Sequence, residues 1–427
     1  MTFEKYKRLV SQGYGLDKEE AIAQKLYDWC GKENFMGEDK GHVVELVGRF
    51  RPLFKGQGLQ VITVGGTNGK GETAHDIEFL LREKGFKTAL WSSPHILSLR
   101  ERFVFSGKMI SYELLDSHLK RGRELCLQQD HRLSYYEFLF FVFCRLVLEH
   151  DVDYLILEVG LGGRLDAVNF LVPDFTCITS LSRDHQKVLG HKLSSILKEK
   201  LGITRPGIPL LTAFELELLR GNAHRFCKKQ ETPTIDLFQS GYLKKEDSYS
   251  YRNQMMAFLL CQVVLEKSDL SGGLPKVNFL REVVRKKVFE SLKGRFEKWR
   301  LEGKKITFVG AHNIDGVRKL THSIKESSFD EVILSFSKRS KKDILDGLLH
   351  LDSYPCVYKK IILTSFDHDK AWMIVEGDRD EVERSERISF VDDWKEYWHH
   401  HLKGTNILVT GSYYFIGEVQ KYLLSRY

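Results

Sequence analysis

Proline is scarce, with eight in 427 residues, and no segment is repetitive or of low complexity, so collagen-like, fibrous and disordered chains are excluded. Long apolar runs are missing as well. None approaches the roughly 18 residues that cross a bilayer, and the opening MTFEKYKRLVSQGYG lacks the apolar centre of a secretory signal, which predicts a cytoplasmic chain with no membrane partner. The seven cysteines (Cys30, Cys126, Cys144, Cys177, Cys227, Cys261, Cys356) are odd in number, scattered and without a C-x-x-C pair. This argues against a disulfide framework and a cysteine zinc site, and for reduced, packed thiols. No charge sign dominates: 65 basic and 58 acidic residues are interspersed to a net charge of +7. The densest basic runs, KKVFESLKGR and SKRSKKD, lack interleaved aromatics and read as solvated faces, so no nucleic-acid partner is predicted. The basic surplus also suits small polyanions. A monomer is the default expectation.

What is present is a globular composition, 42% hydrophobic and 29% charged, in a chain longer than one hydrophobic core usually serves, so two domains are expected. From Leu59 short β-branched runs alternate with amphipathic stretches: LQVITV, AHDIEFLLREKG, KTALWS, DYLILEVG, FTCITSL. That alternation predicts an α/β fold. Strands apolar on both faces imply a mainly parallel sheet covered by helices on each side, with functional loops at the strand C-terminal ends. The polar stretch KKQETPTIDLFQSGYLKKEDSYSYRN reads as a loop or small subsheet before the helical MMAFLLCQVVLEK. After LKGRFEKWRLEGKK a second alternation begins with ITFVGA, EVILSF, KKIILTSF and NILVTGS, which places a boundary near Gly294. Residues 1–293 are expected to form a P-loop-type, mainly parallel sheet domain and residues 294–427 a smaller C-terminal α/β domain.

Between Val61 and Thr73 the run VITVGGTNGKGET sets glycines and one lysine between a strand and a helix. Such a turn aims backbone N–H groups and a helix N-terminus at phosphate oxygens, with Lys70 as a point charge for the outer phosphates. The spacing is not Walker A, because Val64 stands at its first glycine position. In detail GTNGKG (Gly66, Thr67, Asn68, Gly69, Lys70, Gly71) resembles the phosphate loop of the folylpolyglutamate synthase/dihydrofolate synthase family, within the Mur ligase superfamily. That family usually has serine or threonine next, where this chain has Glu72. Either Glu72 turns outward and Thr73 serves as the hydroxyl, or like-charge repulsion lowers phosphate affinity.

Further segments resemble the family in order. WSSPHILSLRERF is similar to its TSPHL and NERI segments, which implies Ser93 as a magnesium ligand and Pro94 and His95 as substrate-loop residues. DYLILEVGLGGRLDAVN puts Glu158 at the end of a buried strand, beside glycines that admit a ligand to the backbone; read alone it is either a loop-capping glutamate or a metal ligand, and the resemblance implies the latter. The GGRLDA segment and the preceding SYYEF match the pterin-holding region, marking Asp166 and Tyr136 for substrate. FTCITSLSRDHQKVLG resembles DH-x-x-x-LG, implying His185 as a metal ligand, though an isolated histidine after a strand is more often structural. KEKLGITRPGIP places Lys200 at the position that is carbamylated in relatives, a reaction that needs a neutral amine and hence a lowered pKa.

The resemblance implies an ATP-dependent amide ligase. ATP and two Mg2+ ions are the implied cofactors, one ion supported by the carbamylated lysine, with L-glutamate and a folate or dihydropteroate as small-molecule substrates. In the last 130 or so residues GRFE, GAHN and LVTGSYYFIGEV resemble family motifs and imply that Arg295 and His312 reach the nucleotide. Lys70, Lys200 and His312 are the implied catalytic groups. Val309 for an aspartate, Ile314 for a proline and Met256 for an asparagine depart from the family and predict weaker or altered nucleotide contacts. A Mur-type ligase with another acceptor, or a non-catalytic folate or nucleotide binder, are the competing readings. The consecutive His399, His400 and His401 point in different directions and are assigned to the surface.

Overall fold

A computed structural model of the chain describes residues 16–33, 40–265, 295–325, 327–354, 358–373 and 385–427. They fall into two compact units, one taking the described residues of 16–95 and 99–265, the other Ile96–Ser98 and the described residues from 295 onward. The inclusion of Ile96–Ser98 in the second unit has no counterpart in the sequence reading.

The first unit is built on strands β1 (Gln60–Gly65), β2 (Thr88–Trp91), β3 (Val104–Phe105), β4 (Lys108–Met109), β5 (Tyr154–Glu158), β6 (Phe175–Ile178), β7 (Leu210–Thr212) and β8 (Thr234–Asp236). They form one sheet in the order β4-β3-β2-β5-β1-β6-β7-β8. The six from β2 to β8 pair in parallel, and β3 and β4 add an antiparallel edge hairpin.

Period-two alternation sends Val61, Leu155 and Leu157 into one core and Ile62, Val64 and Ile156 into the other. Both faces are therefore buried, as helix-covered parallel strands require. One face carries the helices Tyr112–Gln128 and Tyr135–Glu149. The second of these, YYEFLFFVFCRLVLE, is apolar nearly all round and correspondingly buried, and it starts on a capping box between Ser134 and Glu137. The other face carries the helices Lys70–Glu83 and Tyr249–Leu265. The polar stretch before Arg252 contributes β8 to the edge of this same sheet and the first turn of the helix at Tyr249.

The second unit has β9 (Arg295–Leu301), β10 (Lys304–Gly310), β11 (Phe329–Ser335), β12 (Tyr358–Thr364), β13 (Ile388–Val391) and β14 (Asn406–Gly411), in the order β13-β12-β11-β14-β10-β9. All neighbours are parallel except β9 and β10. What the sequence presents as the connection EKWRLEGKK is the hairpin of these two strands: Glu302 and Gly303 both have positive φ, 47° and 77°, matching a tight type I′ turn. The last strand, β14, inserts between β10 and β11. No helix among the described residues is long and apolar enough to cross a membrane.

Candidate active site

Parallel pairing brings the C-terminal ends of β2, β5, β1 and β6 to one edge of the first sheet. β2 leads to Ser93, Pro94 and His95; β5 ends on Glu158; β1 runs into the phosphate loop; β6 leads to Asp184 and His185.

The phosphate loop depends on two glycines. Gly66 has φ 142° and a Cβ there would lie 2.1 Å from Thr179 Oγ1, while Gly69, at φ 87°, begins the helix Lys70–Glu83 with no side-chain cap on its N-terminus. The loop after β6 holds it in place. Thr67 N donates to the Ser180 carbonyl (2.8 Å), Asn68 N to Ser180 Oγ (3.0 Å), and Thr179 Oγ1 and Ser180 Oγ donate to the Asn68 carbonyl (2.7 and 2.9 Å). Ser182 N donates to Thr67 Oγ1 at 3.1 Å. Sequence reading missed these hydroxyl residues; the signal was the run TSLS directly after a buried strand. Lys70 Nζ donates to the Thr67 carbonyl at 3.2 Å.

Lys200 lies in the last turn of the helix Leu193–Leu201 with its side chain buried, and Nζ donates to the Gly66 carbonyl at 2.7 Å. Burial, followed by the charge of Lys70, lowers its pKa from 10.5 to about 7, against a smaller opposing pull from Asp184 and Asp166. A neutral amine is thus available near neutral pH, against the backbone of the phosphate loop.

Glu158 is 3% exposed and its Oε2 accepts from Ser93 N at 3.0 Å. These two supply the oxygen donors that hard cations prefer. His185 stands apart from such a cluster: it is exposed, at φ 48°, with its N–H donating to Asp184 Oδ1 at 2.9 Å. Among the described residues no three His, Cys, Asp or Glu side chains gather as metal ligands. Of the four metal-site residues read from the sequence, Ser93 and Glu158 are brought together and His185 is not placed in a ligand cluster.

Asp166 and Tyr136, marked for substrate by the resemblance, both lie in the interior of the first unit. Tyr136 is fully buried and has no surface for a substrate; its hydroxyl accepts from Trp91 Nε1 (3.0 Å) and donates to Asp166 Oδ1 (3.3 Å). Asp166 accepts in turn from Leu161 N (2.8 Å) and Val168 N (3.1 Å), and burial raises its pKa to about 6. The pair braces the glycine loop after Glu158. Pro94 and His95 are half-buried, and His95 Nδ1 accepts from Arg102 Nε at 3.1 Å.

Glu72 turns away from the phosphate loop toward the helix Tyr249–Leu265, where Oε1 accepts from Ser250 Oγ (2.5 Å) and Oε2 from Asn253 Nδ2 (2.7 Å). Thr73 is fully buried and its hydroxyl has no hydrogen-bond partner. Met256 belongs to the core between that helix and the sheet, which is why an apolar residue fits there.

In the second unit Gly310-Ala311-His312-Asn313 forms the turn after β10. Asn313 Oδ1 caps the next helix through Gly316 N (2.8 Å), and the His312 ring lies 5.7 Å from that of Tyr413. Val309 is buried in the core of that sheet. Arg295 opens β9, but its side chain, like Gly294, lies outside the described residues. His399, His400 and His401 are all exposed.

No family model matches the chain. It is 27% identical over 394 residues to the dihydrofolate synthase/folylpolyglutamate synthase of Bacillus subtilis, covering 86% of this chain and 90% of that one. To the protein of the same name from Buchnera aphidicola it is 31% identical over 307 residues, covering 69% of this chain and 71% of the other. The chain belongs to the dihydrofolate synthase/folylpolyglutamate synthase family. Its fold matches Escherichia coli FolC in complex with DHPP and ADP at 22% identity and a TM-score of 0.73, covering 95% of this chain and 98% of that one. For a member of this family the departures at Glu72 and Met256 are local: one side chain turns to a neighbouring helix and the other joins a core.

Proposed function

We propose that this chain is an ATP-dependent ligase that joins L-glutamate to the carboxylate of a folate-type acceptor, dihydropteroate or tetrahydrofolate, through an acyl phosphate. A carboxylate does not condense with an amine at neutral pH, so its oxygen first takes the γ-phosphoryl group of ATP, releasing ADP. The glutamate amine then attacks the acyl carbon, phosphate leaves, and the nitrogen loses its proton. Several anions must meet for this, and the work of the protein is neutralisation and alignment.

Lys70 and the N–H groups of the Gly66–Lys70 turn hold the phosphates. Ser93 and Glu158 would hold a magnesium ion, which when bound supplies further positive charge. Lys200 first gives up its ammonium proton; the neutral amine nitrogen then bonds the carbon of carbon dioxide and loses a second proton, leaving an anionic carbamate that would support a second ion. By the resemblance His185, on the loop after β6, would be a further metal ligand, and Pro94 and His95 would border the acceptor.

One observation carries the reading: Lys200 is buried, with its Nζ donating to the carbonyl of Gly66 in the phosphate loop, and that burial lowers its pKa. Burial disfavours the charged form, and the neutral amine is the form that reacts with carbon dioxide. The relatives support the ligands. A structure of the Yersinia pestis bifunctional enzyme is complexed with AMPPNP and Mn, and another structure of a bifunctional folylpolyglutamate synthase/dihydrofolate synthase has Mn, AMPPNP and L-glutamate bound.

The test offers the purified chain ATP, magnesium and labelled glutamate with dihydropteroate or tetrahydrofolate, beside Lys70→Ala and Lys200→Ala. Lysine-dependent incorporation is the expected result and names the acceptor. Folded protein that incorporates glutamate into neither acceptor would overturn the proposal.

A further inference from the structure

Glu72 sits in the first turn of the helix Lys70–Glu83, where a carboxylate facing phosphate would repel it. Both of its oxygens are engaged elsewhere, by Ser250 Oγ and Asn253 Nδ2. Asn253 is itself 2% exposed, and its other end lies against the phosphate loop: a Cβ on Gly69 would fall 2.4 Å from Asn253 Oδ1 and 2.7 Å from the Tyr249 hydroxyl. Gly69 is the left-handed residue at which loop becomes helix. One amide side chain therefore spans from the Glu72 carboxylate to the left-handed turn at Gly69.

We propose that Glu72 is a positioning residue for nucleotide: through Asn253 it straps the Gly69 turn to the helix Tyr249–Leu265 and keeps the loop in its phosphate-binding shape. The proposal rests on the ATP-dependent reading above. It also reverses the sign that charge alone predicts. A carboxylate acting by repulsion would weaken nucleotide binding, so its removal would tighten binding; removal of the strap loosens it, because the ligand must then order the turn as it binds.

The test measures ADP affinity, with magnesium, by calorimetry on the full chain and on Glu72→Gln, Glu72→Ala, Asn253→Ala and the double alanine variant. Loss of a charge-assisted hydrogen bond predicts affinity weaker by roughly tenfold in each single variant. Because the two side chains act as one unit, the double variant should be no weaker than the worse single one. KM for ATP should rise by a similar factor while kcat at saturating ATP moves far less, a split that a loss of folded protein does not produce. Ser250→Ala removes one arm by the mildest change and should fall between wild type and Glu72→Ala. Amide hydrogen exchange without nucleotide tests the strap separately from the ligase reading: exchange over Gly66–Lys70 should be faster in Glu72→Ala. Unchanged exchange there, or ADP affinity in Glu72→Gln equal to or tighter than that of wild type, overturns the proposal; absence of ADP binding in wild type would instead count against the ligase reading.

Discussion

Replacing Lys200 by methionine removes an ammonium group that the fold accommodates at a cost. Lysine ordinarily titrates at 10.5, and burial together with the Lys70 charge brings Lys200 to about 7. Below pH 7 folded and unfolded chains both hold the proton, and the penalty of burying the charge stands in full. Between pH 7 and 10.5 the unfolded chain binds the extra proton, so stability rises with pH; above 10.5 the penalty has gone. The whole span, (10.5 − 7) × 1.36, is about 5 kcal/mol, of which about 3 kcal/mol falls between pH 6 and pH 9. Denaturant unfolding of wild type and Lys200→Met, in carbon dioxide-free buffer at those two pH values, reads this directly. Wild type should gain about 3 kcal/mol on the variant as pH rises from 6 to 9. The lost bond to the Gly66 carbonyl weakens the variant at both values and drops out of the difference. A stability gap that does not change with pH would refute the account of Lys200 as a buried, readily neutralised amine.

Three further outcomes are expected. Gly66→Ala sets a methyl group 2.1 Å from Thr179 Oγ1 at a φ that L-residues avoid, so nucleotide binding should be lost and the melting temperature lowered, as calorimetry would record. Lys70→Ala removes the second-largest cause of the low Lys200 pKa, so the pH midpoint for appearance of a carbon-13 carbamate signal from labelled carbon dioxide should move upward, along with loss of turnover. Tyr136→Phe keeps the ring but leaves Trp91 Nε1 without its acceptor, which should cost about 1–3 kcal/mol in denaturant unfolding.

The larger strands were legible because buried parallel strands are written as β-branched runs: Val61–Val64, Tyr154–Glu158, Phe175–Ile178 and the core of β10, β11, β12 and β14. The β3–β4 hairpin, with two residues per strand, is too short to show a period, and β7, β8 and β13 are three or four residues long. β9 was hidden by its charges, although Glu297, Trp299 and Leu301 alternate inward; Glu297 is a buried polar member because Trp299 Nε1 and Gln420 Nε2 donate to it. In the site, the strand-to-helix turn with its glycines and Lys70 shows in the spacing, whereas Glu158 and Lys200 stand out only through the resemblance. The place of Glu72 was not legible, since its partners Ser250 and Asn253 lie 178 and 181 residues away and only tertiary folding brings them near. The hydrogen bonds from Tyr136 and Leu161 to Asp166 likewise could not be read from the sequence, because only folding brings those buried groups together.

Three glycines around the site meet other segments at very short range, with backbone among the neighbours of each. A Cβ on Gly66 would lie 2.1 Å from Thr179 Oγ1 and 3.2 Å from the backbone nitrogens of Thr179 and Ser180, one on Gly163 2.9 and 3.1 Å from the carbonyls of Glu199 and Lys200, and one on Gly202 2.4 Å from Arg164 Cβ and 2.7 Å from its Cα. A side-chain interface can drift over many generations by paired exchanges of large for small residues, each step cheap. Where backbone atoms stand this close, trimming a neighbouring side chain does not open the space. Random mutagenesis should therefore find these three positions intolerant of every replacement, while the side-chain strap at Glu72 and Asn253 accepts coordinated substitutions; the route by which the site diversifies runs along its rim and not through its centre.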